Sequence, residues 1–225
     1  MSSGDILGLI IVYLYVSILV FISEKILSRR YPIMGRKFLH IMTGNIAFIL
    51  PLFTTREIMV FLAAAPFIIL TFLISPYSTL KKLQIRASKA GHGLGLVYYS
   101  ITWTILAYIF FDQREVIAIG ILAMSYGDGL ASLIGERYGR QRYNVLGDVK
   151  SYVGSCIMVL STLICMISAL IFYHVSLLYN TIFYLILIAL AAGLAEGVTP
   201  KGLDNITVPF LTVFLYYLFS FKGLI

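Results

Sequence analysis

Four groups of residues stand where a plain lipid-spanning helix has no use for them. The first is Asp128, inside the apolar run AMSYGDGLASLIG. A charge at membrane depth costs roughly 2.5–3.5 kcal/mol even on the lenient insertion scale, so a chain that keeps one is usually using it. Beside it, Gly127, Ala131 and Gly135 recur every four residues. That stripe of small residues lets another helix approach closely, and Gly129 leaves space next to the carboxylate. Asp128 reads as a site carboxylate, against the plainer reading of a structural group that pairs with an arginine or caps a helix.

The second group is Glu196, Asp204 and Asn205, in LAAGLAEGVTPKGLDNITVPF. Glu196 is expected to end a hydrophobic helix. Gly197, Pro200 and Gly202 then form a tight loop, and Pro209 is expected to break the next helix early. Irregular backbone at membrane depth is tolerated where it lines a cavity. Asp204 alone would read as a helix N-cap. Two carboxylates and an amide oxygen on one short hairpin are hard ligands of the kind Mg²⁺ accepts. The third group is Arg36, Lys37 and His40 in PIMGRKFLHIMTGN, where helical spacing puts Arg36 and His40 on one face. Snorkelling cations and a satisfied interior histidine are the plainer account of these three.

The fourth is the basic stretch GERYGRQRYNVLGDVKSYVGS, with Arg137, Arg140, Arg142, Lys150, Asp148, Ser151, Gly154 and Ser155. Glycines, cations and a helix N-terminus are the ingredients of a phosphate cradle. It reads as a loop. There is no GxxxxGK[ST], so this is not a P-loop protein, and a basic loop of this kind can also hold anionic lipid headgroups. His92, in a GHG helix entry, and His174 are weakly informative.

These residues need a frame. Of 225 residues 60% are apolar and 12% charged, which excludes an ordinary soluble domain and a disordered chain. Cys156 and Cys165 share one apolar stretch and offer no disulfide framework. Apolar stretches that suggest membrane helices, several of them short of the roughly 20 residues a span needs, lie near 6–23, 38–53, 58–74, 94–111, 116–135, 152–173, 180–195 and 206–221. The expected fold is all-α: a polytopic integral membrane bundle of about eight transmembrane helices, a single domain over 1–225. The start MSSGDILG has Asp5 and no positive n-region, so no cleaved signal peptide is expected. Lys and Arg divide 14 to 3 between alternate loops. By the positive-inside rule this places odd-numbered loops in the cytoplasm and both termini outside. The net charge of +7 is read as topology, and no nucleic-acid partner is expected. All four groups then fall at the cytoplasmic ends of helices. Cations, glycines and carboxylates at one membrane face fit Mg²⁺-dependent chemistry on a phosphate compound, with a lipid partner arriving from the bilayer.

GRKFLH near 35–40, GDGLASLIG at 127–135, GDVKSYVGS at 147–155 and EGVTPKGLDNITVP at 196–209 together resemble the phytol kinase and dolichol kinase family of CTP-dependent polyprenol kinases. The pieces span most of the chain in the family's order, and the last is the most specific. Val153 stands where the family usually has Glu. The resemblance implies CTP as donor and an isoprenoid alcohol as acceptor.

The expected roles follow. Asp128, Glu196 and Asp204 hold Mg²⁺ or orient the attacking hydroxyl, with Asn205 assisting. Arg36, Lys37, Arg140 and Lys150 hold phosphates, Ser151 and Gly154 help at the helix N-terminus, and His40 orients the substrate or accepts a proton. Asp128 and Glu196 remain open as alternatives for the base. Two other functions fit the same residues: a CTP-dependent CDP-lipid synthase, and an ion-coupled transporter using the intramembrane carboxylates. The one-sided gathering of polar groups weakens the transporter, whose site usually lies near the midplane.

Overall fold

The computed structural model describes residues 1–90, 93–145, 147–200, 202–221 and 223. His92, Lys201 and Lys222, which figure in the loop and charge readings, lie outside the described residues. The chain divides into two compact units, Met1–Phe111 and Asp112–Ile225.

In the first unit, α1 (Ser3–Phe21) begins at a capping box. Ser2 Oγ accepts from the Asp5 amide at 3.0 Å, and the Asp5 carboxylate accepts from the Ser2 amide at 2.9 Å. The helix continues through a wide π segment, Ile22–Leu27. Next come α2 (Pro32–Thr43), short 3₁₀ turns at Gly44–Phe48 and Leu50–Leu52, a π segment Ile58–Ala64 leading into α3 (Pro66–Leu73), the single turn α4 (Arg86–Lys89), and α5 (Gly95–Ile109). Proline at the first position of α2 sets its start, and Arg36 and Lys37 lie inside this helix. The π segment after α1 and α2 touch at Gly35. Ser23 Oγ donates to the Gly35 carbonyl at 2.8 Å, and a side chain at Gly35 would run into Ser28.

In the second unit, α6 (Arg114–Leu122) passes through a π segment, Ala123–Asp128, into α7 (Gly129–Tyr138). A two-stranded antiparallel hairpin follows, β1 (Arg142–Val145) and β2 (Asp148–Ser151), then α8 (Tyr152–Phe172), α9 (Tyr179–Val198) and α10 (Asp204–Phe221). Without water as a competitor, helices in lipid associate through close van der Waals packing of small residues. Here that surface is the stripe on α7 and the segment before it. A Cβ on Gly127 would stand 2.5 Å from Thr162 Oγ1, and one on Gly135 2.9 Å from Gly154 Cα. Ala123, Ala131, Met158, Ala192 and Val208 form a buried cluster joining five elements of this unit, the π segment and α7 to α10.

The structure amends the expected fold in three places. Among the described residues, four helices are long and apolar enough to cross a membrane: Ser3–Leu27, Arg114–Tyr138, Tyr152–Phe172 and Asn180–Val198. Ile58–Leu73 and Gly95–Ile109 are shorter apolar helices, and the expected span at 38–53 is broken into α2 and two 3₁₀ turns. Pro209 does not end α10. It removes one amide in the second turn, and the helix runs on to Phe221; prolines in apolar helices are tolerated where packing compensates. The basic stretch is a hairpin within an otherwise helical chain, and not a loop.

Candidate functional site

The hairpin explains how the basic stretch is placed. Its register pairs Tyr143 with Lys150 and Val145 with Asp148. Strand side chains alternate between faces, so these four share one face, and Arg142, Asn144 and Val149 are exposed on the other. A free two-stranded hairpin is marginal in water; this one is pinned at three points. Ser151 Oγ donates to the Gly135 carbonyl at 3.2 Å and accepts from the Gly154 amide at 3.1 Å as the N-cap of α8. The Tyr143 hydroxyl lies 2.7 Å from Ser155 Oγ on α8. Lys150 reaches the end of α9.

That last contact is the centre of the site. Lys150 Nζ lies 2.8 Å from Glu196 Oε1 and also donates to the Glu196 backbone carbonyl. Both side chains are nearly buried, 13% and 10% exposed. A cation at a helix C-terminus meets carbonyls that have no intrahelical partner, so dipole and carboxylate favour the ammonium together. Asp128, half-buried at the end of its π segment, lies close enough for its charge to act on Glu196. Such π segments recur at functional sites because they re-aim one side chain out of helical register. The Tyr143 hydroxyl also covers Gly197: a Cβ there would stand 3.0 Å from it.

The neighbouring loop is tied by its own polar groups. Thr199 Oγ1 donates to the Ala195 carbonyl at 2.6 Å and lies 3.0 Å from Thr207 Oγ1, which joins α9 to α10. Asp204 is the first residue of α10, and its Oδ1 accepts from the Asn205 backbone amide at 2.9 Å and from Asn205 Nδ2 at 3.1 Å. Asn205 Nδ2 also donates to the Gly202 carbonyl at 3.0 Å.

Lys150, Glu196 and Asp128 are therefore gathered in the second unit, with Asp204 and Asn205 on the adjoining helix start. Ser151 and Gly154 are engaged with each other and with α7. The Tyr152 amide is also used, by the Gln141 carbonyl at 3.3 Å, so most of the amides a phosphate would find at this helix end are already bonded. Arg140 is exposed. The other expected site residues lie in the first unit. Arg36 Nη1 donates to the Ala90 carbonyl at 3.1 Å, Lys37 is buried, and His40 meets the Tyr99 ring edge-on at 5.7 Å.

Among the described residues no three His, Cys, Asp or Glu side chains are gathered closely enough to hold a metal ion. Mg²⁺ needs less from a protein: it commonly rests on one or two carboxylates plus the phosphates of a substrate, and keeps water besides. Asp128 and Asp204 fit that lighter demand, while the Glu196 carboxylate is turned to Lys150.

Tyr143 is the site residue that the linear reading missed. The signal was present: RYNV and DVKS flank a two-residue connection, Leu146–Gly147, with Gly147 at φ +98°. Short runs around such a connection are a hairpin pattern.

The chain is similar to curated proteins. It is 36% identical over 122 residues to phytol kinase of Synechocystis sp., covering 52% of this chain and 51% of that protein. It is 31% identical over 203 residues to probable phytol kinase 1, chloroplastic, of Oryza sativa, covering 82% and 64%. It is 30% identical over 220 residues to phytol kinase 1, chloroplastic, of Arabidopsis thaliana, covering 88% and 71%. The chain thus spans about half of the first relative and just under two thirds of the second. No family model and no solved structure matches it. Similarity of this extent, to relatives of one name, assigns the chain: it belongs to the phytol kinase family.

Proposed function

We propose that this chain is a membrane lipid kinase that transfers the γ-phosphoryl group of CTP to an isoprenoid alcohol of the phytol, geranylgeraniol or dolichol type, at the cytoplasmic face. The observation that carries the reading is the ammonium of Lys150 at the Glu196 end of α9, beside Asp128, in a family whose matched members are named phytol kinases. Those names favour a kinase over the CDP-lipid synthase and the transporter. The 14-to-3 division of Lys and Arg supports the cytoplasmic placement.

Phosphoryl transfer asks a protein mainly for positioning and charge stabilisation. Lys150 carries three N–H donors. Two are directed to Glu196, and the third is left for a phosphate oxygen. Arg140, exposed on the same segment, supplies further positive charge for the nucleotide. Glu196 is committed to Lys150, so Asp128 is the group that orients the lipid hydroxyl and takes its proton. The hydroxyl oxygen bonds to the γ-phosphorus, the bond from that phosphorus to the bridging oxygen breaks, and CDP leaves. Asp128 and Asp204, with Asn205, would hold Mg²⁺ brought on the nucleotide, which when bound neutralises charge on the transferred group.

The test is an assay with γ-labelled CTP and phytol or geranylgeraniol, on purified protein and on sealed vesicles of both orientations. Labelled lipid monophosphate with release of CDP, formed when CTP reaches the cytoplasmic side alone, is the expected result. A CDP-lipid with release of pyrophosphate, or no lipid product at all, overturns the reading.

A further inference from the structure

The first unit holds a cavity of about 560 Å³ between α1 with its π extension, α2, α3 and α5, well inside the size range of small-ligand sites. Four hydroxyls of its wall are bonded to backbone carbonyls. Thr43 Oγ1 donates to the Leu39 carbonyl at 2.6 Å, Thr71 Oγ1 to Phe67 at 2.5 Å, Ser100 Oγ to Leu96 at 3.0 Å, and the Tyr13 hydroxyl to Leu62 at 2.7 Å. Hydroxyls engaged in this way leave an occupant mostly hydrocarbon to meet. One part of the cavity is aromatic: Tyr13 stacks on Phe67 at 5.3 Å, and Phe67 meets Trp103 at 5.9 Å. Trp103 is 1% exposed, and its Nε1 has no hydrogen-bond partner among the described residues.

The charged residues of the wall are confined to the other part. Along α1 and its extension the cavity runs from Tyr13 to Lys25, about 18 Å at the helical rise. There Glu24 accepts from the Arg86 amide at 2.9 Å and faces its guanidinium at 3.7 Å, and Lys25 is exposed. A long apolar chamber with a charged rim at one end matches an amphiphile with a single chain and a small polar head.

We propose that this cavity holds the hydrocarbon tail of the lipid alcohol, with the chain end in its aromatic part, beside Tyr13, Phe67 and Trp103. The proposal rests on the lipid-kinase reading for the identity of the occupant. It adds the place where the tail is bound and the residues that set which chains fit.

Trp103 is the only tryptophan in the sequence, so its fluorescence reports on this cavity alone. The purified protein in detergent is titrated with a fatty alcohol carrying a doxyl quencher near the chain end, and the complex is then challenged with phytol or with phosphatidylcholine. The expected result is saturable quenching that phytol reverses and phosphatidylcholine does not. Ser17 lies on the exposed face of α1 and lines the cavity. Ser17→Phe should fill the space and weaken quencher binding at least tenfold, and Ser17→Ala should leave it unchanged. In the γ-labelled CTP assay, Ser17→Phe should favour the shorter farnesol over phytol. Quenching that does not saturate, reversal by phosphatidylcholine as readily as by phytol, or a folded Ser17→Phe protein that binds and selects as the parent does, overturns the proposal. The two readings fail separately. Lipid phosphorylation without saturable quenching leaves the kinase standing and removes the cavity. Saturable, phytol-specific quenching without phosphorylation keeps the cavity and removes the kinase.

Discussion

Lys150 and Glu196, 46 residues apart, meet at 2.8 Å with both side chains almost buried. One comes from a hairpin strand and the other from the last turns of a helix, so the pair closes the second unit as well as charging its site. Removing one partner of a buried pair leaves an uncompensated charge, at about 3–5 kcal/mol. Lys150→Ala should therefore lower the thermal midpoint in detergent. It should also weaken nucleotide binding by about ten- to a hundredfold, the worth of a charged hydrogen bond of roughly 1.5–3 kcal/mol, with lipid binding unaltered. Loss of lipid affinity with CTP affinity intact would make the hairpin a headgroup anchor instead.

Tyr143 and Gly197 should behave as a coupled pair. In Gly197→Ala the new methyl stands 3.0 Å from the Tyr143 hydroxyl oxygen, and the next ring atom is 4.0 Å away. The hairpin must then shift, and turnover should fall. Tyr143→Phe removes that oxygen and gives up the bond to Ser155, about 0.5–1.5 kcal/mol. In the Tyr143→Phe background, Gly197→Ala should be close to neutral, so the double-mutant cycle shows a coupling energy. Strictly additive losses would separate the two residues.

The carboxylates divide by role. Asp128→Asn and Asp204→Asn keep shape and lose charge, and each should lower turnover by orders of magnitude in a protein that elutes and melts like the parent. The Asp204→Asn loss should be partly recovered at high Mg²⁺, and the Asp128→Asn loss less so, because Asp128 also takes the hydroxyl proton and more metal does not replace a base. Near-normal activity in Asp204→Asn would reduce that residue to a favourable charge in the first turn of α10.

Asp5 should matter for folding and not for chemistry. It is fully buried. Its Oδ1 accepts from the Thr54 and Thr55 amides at 2.8 and 3.1 Å, and its Oδ2 from the Ser2 amide at 2.9 Å, with three hydroxyls also directed to Oδ2. In Asp5→Asn either orientation of the amide sets an NH₂ group against a backbone N–H that cannot rotate away. Each charged hydrogen bond lost is worth about 1.5–3 kcal/mol, so a clear drop in the thermal midpoint is expected, with KM for CTP unchanged in the surviving folded protein. An unshifted midpoint would contradict the buried geometry.

Val153 is 38% exposed at the second position of α8. A glutamate fits there without entering the core and faces the helix dipole favourably, by about 0.3–1 kcal/mol. Val153→Glu should raise phosphorylation of the lipid alcohol by CTP and sharpen its Mg²⁺ dependence. Equal or lower activity, at matched amounts of folded protein, would show that valine belongs to this site as it stands.

The helical, membrane-suited character of the chain was legible in its sequence, because apolar runs and charge-poor segments are local properties. So was the packing of the stripe at Gly127, Ala131 and Gly135, since four-residue spacing on a helix makes one face. Asp128, Glu196, Lys150 and Asp204 stood out for a similar reason: a charge in an apolar context is visible without a fold. What could not be read along the chain was which of them meet. Lys150 turns to Glu196 because the register of a hairpin puts it on the inner face, and a change of one residue would point it outward. The run at 38–53 is apolar enough for a span, but the local backbone turns into 3₁₀ geometry, and Pro209 bends no rule that packing around α10 does not answer. The role of Asp5 depends on a loop about fifty residues away, and the cavity beside Trp103 on where four helices leave space. Such features are made by distant segments arriving at one place, and only the tertiary structure decides that.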